Sequence, residues 1–218
     1  MTLIKEENFV VPKSARFSFL GNPSGSIKHV WFVLHGYGQL SSYFIRKFSS
    51  LENEETLIIA PEGLHRFYLE GSSGRVGASW MTKEDRHNDI QDYVHYLDAL
   101  YEKVVSFPQP VKITTLGFSQ GGATASRWIS QSHFSFDNLI LWGSTFPPDL
   151  DFQLTQSKIL NTGLYLVCGN EDQYYAREMP QHAEMLRTNG YEPHVITFAG
   201  AHEVHEETLQ LIKEKICS

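Results

Sequence analysis

The stretch Val111-Lys112-Ile113-Thr114-Thr115-Leu116 runs directly into Gly117-Phe118-Ser119-Gln120-Gly121, followed by Gly122-Ala123-Thr124-Ala125-Ser126-Arg127-Trp128. The β-branched residues of the first part predict a buried strand, and the Ala-containing run after the turn predicts a helix. Glycines on both sides of a serine leave room for a strained turn that holds the hydroxyl clear of a sheet, while the N–H groups of the following helix point at incoming negative charge. The segment therefore marks Ser119 as a nucleophile. A serine acting only as a helix N-cap would not need both glycines.

The rest of the chain supplies the layers such a turn requires. Residues 17–20 and 30–34 read as strands, 42–51 as a helix with Phe44, Ile45 and Phe48 on one stripe, and 56–60 as a strand ended by Pro61-Glu62-Gly63. Residues 83–105 repeat Ile90, Val94, Leu97, Leu100 or Tyr101, and Val104 at three- and four-residue steps, which predicts a long amphipathic helix stopped by Pro108 and Pro110. Further strands are expected over 139–142, 164–167 and 195–198, and helices over 176–188 and 203–216. Strands alternating with helices predict an α/β fold with a mostly parallel central sheet flanked by helices, its first strands able to form an antiparallel edge. A chain of 218 residues is long enough for one large core, so residues 1–218 are read as a single domain.

Charge narrows the partners. The net charge is −7, and the 18 Lys and Arg do not cluster, which argues against nucleic acid or anionic lipid as a partner and for a small molecule. No run approaches the roughly 18 apolar residues of a membrane span, and residues 1–13 carry Lys5, Glu6 and Glu7 with no apolar leader core. The expectation is a cytoplasmic protein, with a homodimer left open. Cys168 and Cys217 form neither a metal pattern nor a disulfide framework. His202 and His205 stand three apart, not the four of the zinc-binding H-E-x-x-H pattern, so no metal and no cofactor is expected.

In a parallel sheet the chemistry gathers at the carboxyl ends of the strands. Four exits carry informative residues: His35-Gly36-Tyr37-Gly38, the turn at Ser119, Gly169-Asn170-Glu171-Asp172, and Gly200-Ala201-His202. An acid and a histidine thus follow the serine in chain order, each just beyond a strand. Glu171 competes with Asp172 for the acid role, and His205 with His202 for the base. The spacing from Gly169 favours Asp172. His205 lies one turn further on, where a helix is expected, and His35 reads as a structural loop residue.

These motifs resemble those of the α/β-hydrolase superfamily, and within it the small phospholipase/carboxylesterase family that includes acyl-protein thioesterases. The likeness spans nearly the whole chain. His35-Gly36-Tyr37-Gly38 is similar to that family's oxyanion loop, residues 117–122 to its serine turn, and Gly169-x-x-Asp172 and Gly200-x-His202 to its acid and base motifs. Gln39 stands where many thioesterases carry Asp, and Tyr175-Ala176 where the acid loop often continues Val-Pro. The resemblance implies an α/β-hydrolase fold, here read without a cap domain, and a serine hydrolase cleaving small carboxylic esters or thioesters. Ser119, His202 and Asp172 would form its triad, and the backbone N–H groups of Tyr37 and Gln120 its oxyanion donors. The alternatives are a ligand-binding hydrolase fold with little or no turnover and an acyltransferase or peptidase using the same triad. Ser79-Trp80-Met81 resembles the segment that sets an aromatic beside the acyl pocket. Tyr37, Trp80, Met81 and Phe146 are the expected pocket walls, with core packing as the alternative for the aromatics. The Gly71, Gly74 and Gly77 segment is expected to be a mobile loop over the site. The short stretch over 143–162 leaves no room for a lid, so the pocket is expected to be open and shallow.

Overall fold

The computed structural model describes residues 3–150, 158–159 and 161–217. Along the chain run β1 (Phe17–Leu20), β2 (His29–Leu34), α1 (Ser41–Phe44), a 3₁₀ segment (Ile45–Leu51), β3 (Thr56–Pro61), β4 (His65–Glu70), β5 (Ser73–Ser79) and α2 (Arg86–Val104). Then follow β6 (Lys112–Phe118), α3 (Gln120–Gln131), β7 (Asn138–Trp142), β8 (Gly163–Gly169), α4 (Met179–Thr188), β9 (His194–Phe198) and α5 (Glu206–Cys217).

Seven strands form one sheet in the order β1-β3-β2-β6-β7-β8-β9. Every neighbouring pair is parallel except β1 with β3, so the antiparallel edge is β1 alone. The chain steps outward from β2 to β3 and then returns to the far side of β2 for β6. That reversal opens a crevice at the carboxyl ends of β2 and β6, where two exit loops diverge. The fold is that of the α/β hydrolases.

Burial on both faces explains the composition of the strands. All six residues of β2 are buried, and they alternate between two cores. Val30, Phe32 and Leu34 face one with Leu97, Trp128 and Leu139, while Trp31 and Val33 face the other with Phe44, Phe48 and Leu209. The first core is covered by α2 and α3, the second by α1, the 3₁₀ segment and α5. Cys168 of β8 belongs to the first core as a small apolar side chain, and burial pushes its thiol up to about 12.

The expected helix over 42–51 is a single α-turn continued as 3₁₀, although Phe44, Ile45 and Phe48 are buried as the pattern implied. Helix α4 begins at Met179 and not at 176, with Pro180 in its first turn, where its missing N–H costs nothing. Part of the stretch expected to be too short for a lid, residues 151–157 and 160, lies outside the described residues.

The expected mobile loop at Gly71, Gly74 and Gly77 is instead a β-hairpin of β4 and β5. Its two-residue turn, Gly71-Ser72, uses the positive φ of 60° at Gly71. Gly77 is there for close approach: a Cβ would sit 2.5 Å from the Gly38 carbonyl oxygen. Gly38 N–H donates to the Ala78 carbonyl (2.9 Å) and Ala78 N–H to the Gln39 carbonyl (3.2 Å), fastening the arm to the β2 exit loop.

Glu62, just past β3, fixes three pieces to one another. Its buried carboxylate accepts hydrogen bonds from Arg16 (3.0 and 2.9 Å) before β1, Arg66 (2.7 Å) in the hairpin, and both the N–H and hydroxyl of Ser41 (3.2 Å each). Burial by itself would raise its pKa, but the hydrogen bonds from Arg16, Arg66 and Ser41 outweigh burial and hold it below the usual carboxylate value. Because the folded pKa is depressed, the stabilisation is complete above the unfolded glutamate pKa of about 4.3. It is lost as pH falls through the folded value. Glu62→Gln is expected to lower stability by about 1–3 kcal/mol, the smaller end because Arg16 and Arg66 are half-exposed and regain water. Urea unfolding at neutral pH and at pH 3 tests this, the difference from wild type shrinking at the lower pH.

Candidate active site

Ser119 sits between β6 and α3 with φ 53° and ψ −120°, a conformation that side chains other than glycine rarely adopt. The strain is held by its surroundings: Ser119 N–H donates to the Trp142 carbonyl (2.9 Å), and its own carbonyl accepts from Gly122 N–H (2.9 Å). As the first residue of α3, Gln120 has a backbone N–H without an intrahelical acceptor.

Asp172 lies in the loop after β8 with its side chain 1% exposed. Its Oδ1 accepts the N–H groups of Tyr174 (2.9 Å) and Tyr175 (3.1 Å), and its Oδ2 lies 2.7 Å from His202 Nδ1. Burial alone would raise this carboxyl, but the His202 bond and the two backbone donors together lower it, so Asp172 is held ionised. An ionised acceptor requires His202 to present its proton at Nδ1, which leaves Nε2 as the free nitrogen. The His202 ring packs 4.7 Å from Phe118, edge-on to Tyr174 (5.1 Å) and stacked on Tyr175 (5.7 Å). No Ser119–His202 hydrogen bond forms among the described residues. Beside the serine, burial pushes the phenol of Tyr175 up, and the neighbouring Ser119 hydroxyl partly offsets that shift.

The two competitors fall elsewhere. Glu171 is exposed, its N–H bonded to the Gly200 carbonyl. His205 precedes α5, bonded through Nδ1 to the Thr208 hydroxyl (2.9 Å) and stacked on Phe198 (4.9 Å).

His35 supports the β2 exit loop from within. Gly63 N–H donates to its Nε2 (3.0 Å), so the ring proton sits on Nδ1 and donates to the Gly36 carbonyl (2.7 Å). Burial lowers the His35 pKa, which keeps this neutral tautomer. The loop next to it carries Tyr37, 62% exposed, whose N–H has no partner among the described residues. Gln39 Oε1 accepts from Gly36 N–H (2.9 Å).

The open cleft above these groups has a volume of about 410 Å³ and is lined by Gly36, Tyr37, Gln39, Phe118, Ser119, Tyr174, Tyr175 and His202. Three of the expected pocket walls are not there. Trp80 is fully buried, stacked on His35 (5.0 Å) and donating Nε1–H to the His35 carbonyl (2.8 Å), so it braces the loop from behind. Met81 is partly buried against the same core, its carbonyl accepting from Gln120 Nε2 (3.0 Å). Phe146 is buried on His182 and Tyr191, its N–H donating to His182 Nε2 (3.1 Å). The walls present, Phe118, Tyr174 and Tyr175, were missed in the sequence reading; their closeness in sequence to Ser119 and Asp172 is the signal that could have found them. Among the described residues no cluster of His, Cys, Asp or Glu side chains could hold a metal ion.

Glycine at 143, after β7, makes the approach of these groups possible. It has φ +51°, and a Cβ there would lie 2.9 Å from the His202 ring and 3.2 Å from Asp172 Oδ2. Gly143→Ala is expected to displace the imidazole and to lower stability by about 1–3 kcal/mol. The displacement is checked by the low-field proton resonance of the His202–Asp172 bond, which should shift or vanish in the variant, and the stability by urea unfolding.

A family model described as Serine hydrolase (FSH1) matches residues 26–211. No curated protein sequence matches the chain. Among solved structures, the chain is similar to acyl-protein thioesterase 2 of Zea mays (TM-score 0.71, 15% identity, covering 94% of this chain and 98% of that one). It is similar also to a carboxylesterase from Mesorhizobium loti (0.71, 13%, 94% and 95%). A third is a phospholipase/carboxylesterase from Dyadobacter fermentans (0.66, 15%, 97% and 100%). At such identities the likeness is one of fold.

Proposed function

The chain belongs to the FSH1 family of serine hydrolases, and from that premise we propose that it cleaves carboxylic esters of small acyl groups, as one domain and without a cofactor, through Ser119, His202 and Asp172. The observation that carries this reading is the 2.7 Å bond from His202 Nδ1 to a buried, ionised Asp172, above a serine held in a strained turn. On substrate binding the Ser119 hydroxyl turns to His202 Nε2. Such contacts are often loose in the free enzyme.

Ser119 Oγ then attacks the acyl carbonyl while Nε2 takes its proton, and Asp172 stabilises the imidazolium. The carbonyl oxygen becomes an oxyanion received by the N–H groups of Tyr37 and Gln120, each such donor typically worth about 10²–10³ in rate. His202 returns the proton to the leaving oxygen, the alcohol departs, and the acyl group stays on Ser119. Water, deprotonated by the same imidazole, repeats the sequence and releases the acid. The same groups would accept a thioester, whose sulfur leaves as the thiol. The exposed cleft fits a small soluble substrate.

Ser119→Ala should leave the fold intact and lower ester hydrolysis by roughly 10⁴-fold or more. Asp172→Asn, which removes the charge that selects the Nδ1–H tautomer, should cost about 10⁴-fold in kcat. Both are read with p-nitrophenyl acetate, and turnover retained by a folded Ser119→Ala variant would remove the serine mechanism. Across p-nitrophenyl esters of increasing chain length, kcat/KM should be highest for short acyl groups and should not jump at the micellar transition. A maximum at long chains with interfacial activation would favour a lipase.

A further inference from the structure

Beside the cleft lies a second cavity of about 440 Å³, between the hairpin and the segment around α1. Its walls include Gln39, Tyr43, Lys47, Leu69, Arg75 and Val76, and Gln39 lines both cavities. The Gln39 side chain is tied to the oxyanion loop through Gly36 N–H, so the two spaces meet at a fixed point directly beside the reaction centre.

The charge here runs against that of the molecule. The chain carries 25 acids against 18 bases, yet the second cavity is lined by two cations and no acid. Lys47 makes no ion pair among the described residues. Arg75 has only a contact of 3.7 Å with Glu70, both side chains more than four-fifths exposed, which a ligand anion can displace. Arg46, stacked 5.0 Å from the Tyr43 ring, adds a third positive charge close by. The same walls carry exposed apolar surface: Tyr43 is 63% and Leu69 40% exposed. The second cavity thus offers apolar surface and cations together, beside a wall it shares with the cleft.

We infer that this groove is a substrate subsite, and that the preferred ester, on the hydrolase reading above, carries an anionic group joined to the scissile ester by a short apolar segment. The apolar segment lies over Leu69 and Tyr43, and the anion lies between Lys47 and Arg75. A groove that shares a wall with the cleft, bearing charge opposite in sign to the protein's net charge, selects by electrostatic complementarity. Neither cation touches the reacting atoms, so the effect falls on KM.

The test compares the p-nitrophenyl monoester of suberic acid with the neutral p-nitrophenyl octanoate, and 4-carboxyphenyl acetate with 4-methylphenyl acetate. The two pairs place the anion on the acyl and the alcohol side respectively. Lys47→Glu with Arg75→Glu should raise KM about tenfold for at least one anionic ester. It should leave kcat for that ester and both constants for the neutral partner unchanged. Lys47→Arg should retain the wild-type KM, and added salt should raise KM for the anionic ester only. Equal KM values in wild type and charge-reversed protein for both anionic esters, with neutral turnover intact, would overturn the subsite and leave the Tyr43–Leu69 face to another occupant. If neutral esters are not turned over, the hydrolase reading fails first. The groove is then read by calorimetric binding of free suberate to wild type and to the charge-reversed variant, where equal or absent binding overturns it.

Discussion

At Gly121 the backbone of α3 comes so close to β2 that a Cβ would lie 2.3 Å from the Leu34 carbonyl oxygen. At Gly117 a Cβ would lie 2.3 Å from the Gly121 carbonyl oxygen. Two adjacent parallel strands and the first turn of a helix therefore meet with no side chains between them. This contact brings the helix N-terminus and the β2 exit loop to opposite sides of the same small volume, and Ser119 projects between them. The positive φ of that serine follows from the same crowding, since a relaxed turn would carry the helix away from the strand. The candidate oxyanion donors, Tyr37 and Gln120, are backbone groups, so their aim depends on this packing and not on rotamers.

Around that point, three buried polar side chains each hold two or more partners. His35 accepts one backbone hydrogen bond and donates another, which fixes its tautomer and shapes the loop carrying Tyr37. Asp172 spends one oxygen on two backbone N–H groups and the other on His202. Glu62 collects two guanidinium groups and a serine. Each joins segments distant in sequence, so each acts as a register pin as well as an electrostatic device. The Gln120 side chain behaves similarly: its amide spans Trp80 N–H and the Met81 carbonyl, tying the start of α3 to the end of the hairpin.

The readable parts of the sequence were those in which local pattern and tertiary role coincide. Strand exits are where a parallel sheet gathers polar side chains, so Ser119, Asp172 and His202 stand out as candidates by position, and the structure brings the last two into contact. The long helix declared itself through Ile90, Val94, Leu97 and Leu100, all of them buried. Trp80 did not, because its decisive partner is a carbonyl 45 residues away and nothing local distinguishes a bracing indole from a pocket wall. The hairpin was hidden by its glycines, which read as looseness when counted and as close packing once Gly77 is seen against Gly38. The aromatic setting of His202 by Tyr174 and Tyr175 depends on a loop whose curvature is imposed by Asp172 accepting their N–H groups, a relation with no periodic signature.

The β4–β5 arm has a further consequence for how a molecule of this kind can change. It forms its own two-stranded sheet, and its backbone fastening to the main body runs through Ala78 and the loop at Gly38 and Gln39. Its outer end, from Tyr68 to Arg75, touches neither Asp172 nor His202. A change of length or side chain at that tip removes none of the hydrogen bonds that hold Asp172 and His202. The fold thus sets the hydrogen bonds that hold Ser119, Asp172 and His202, and the arm that lines the neighbouring cavity, on different stretches of chain.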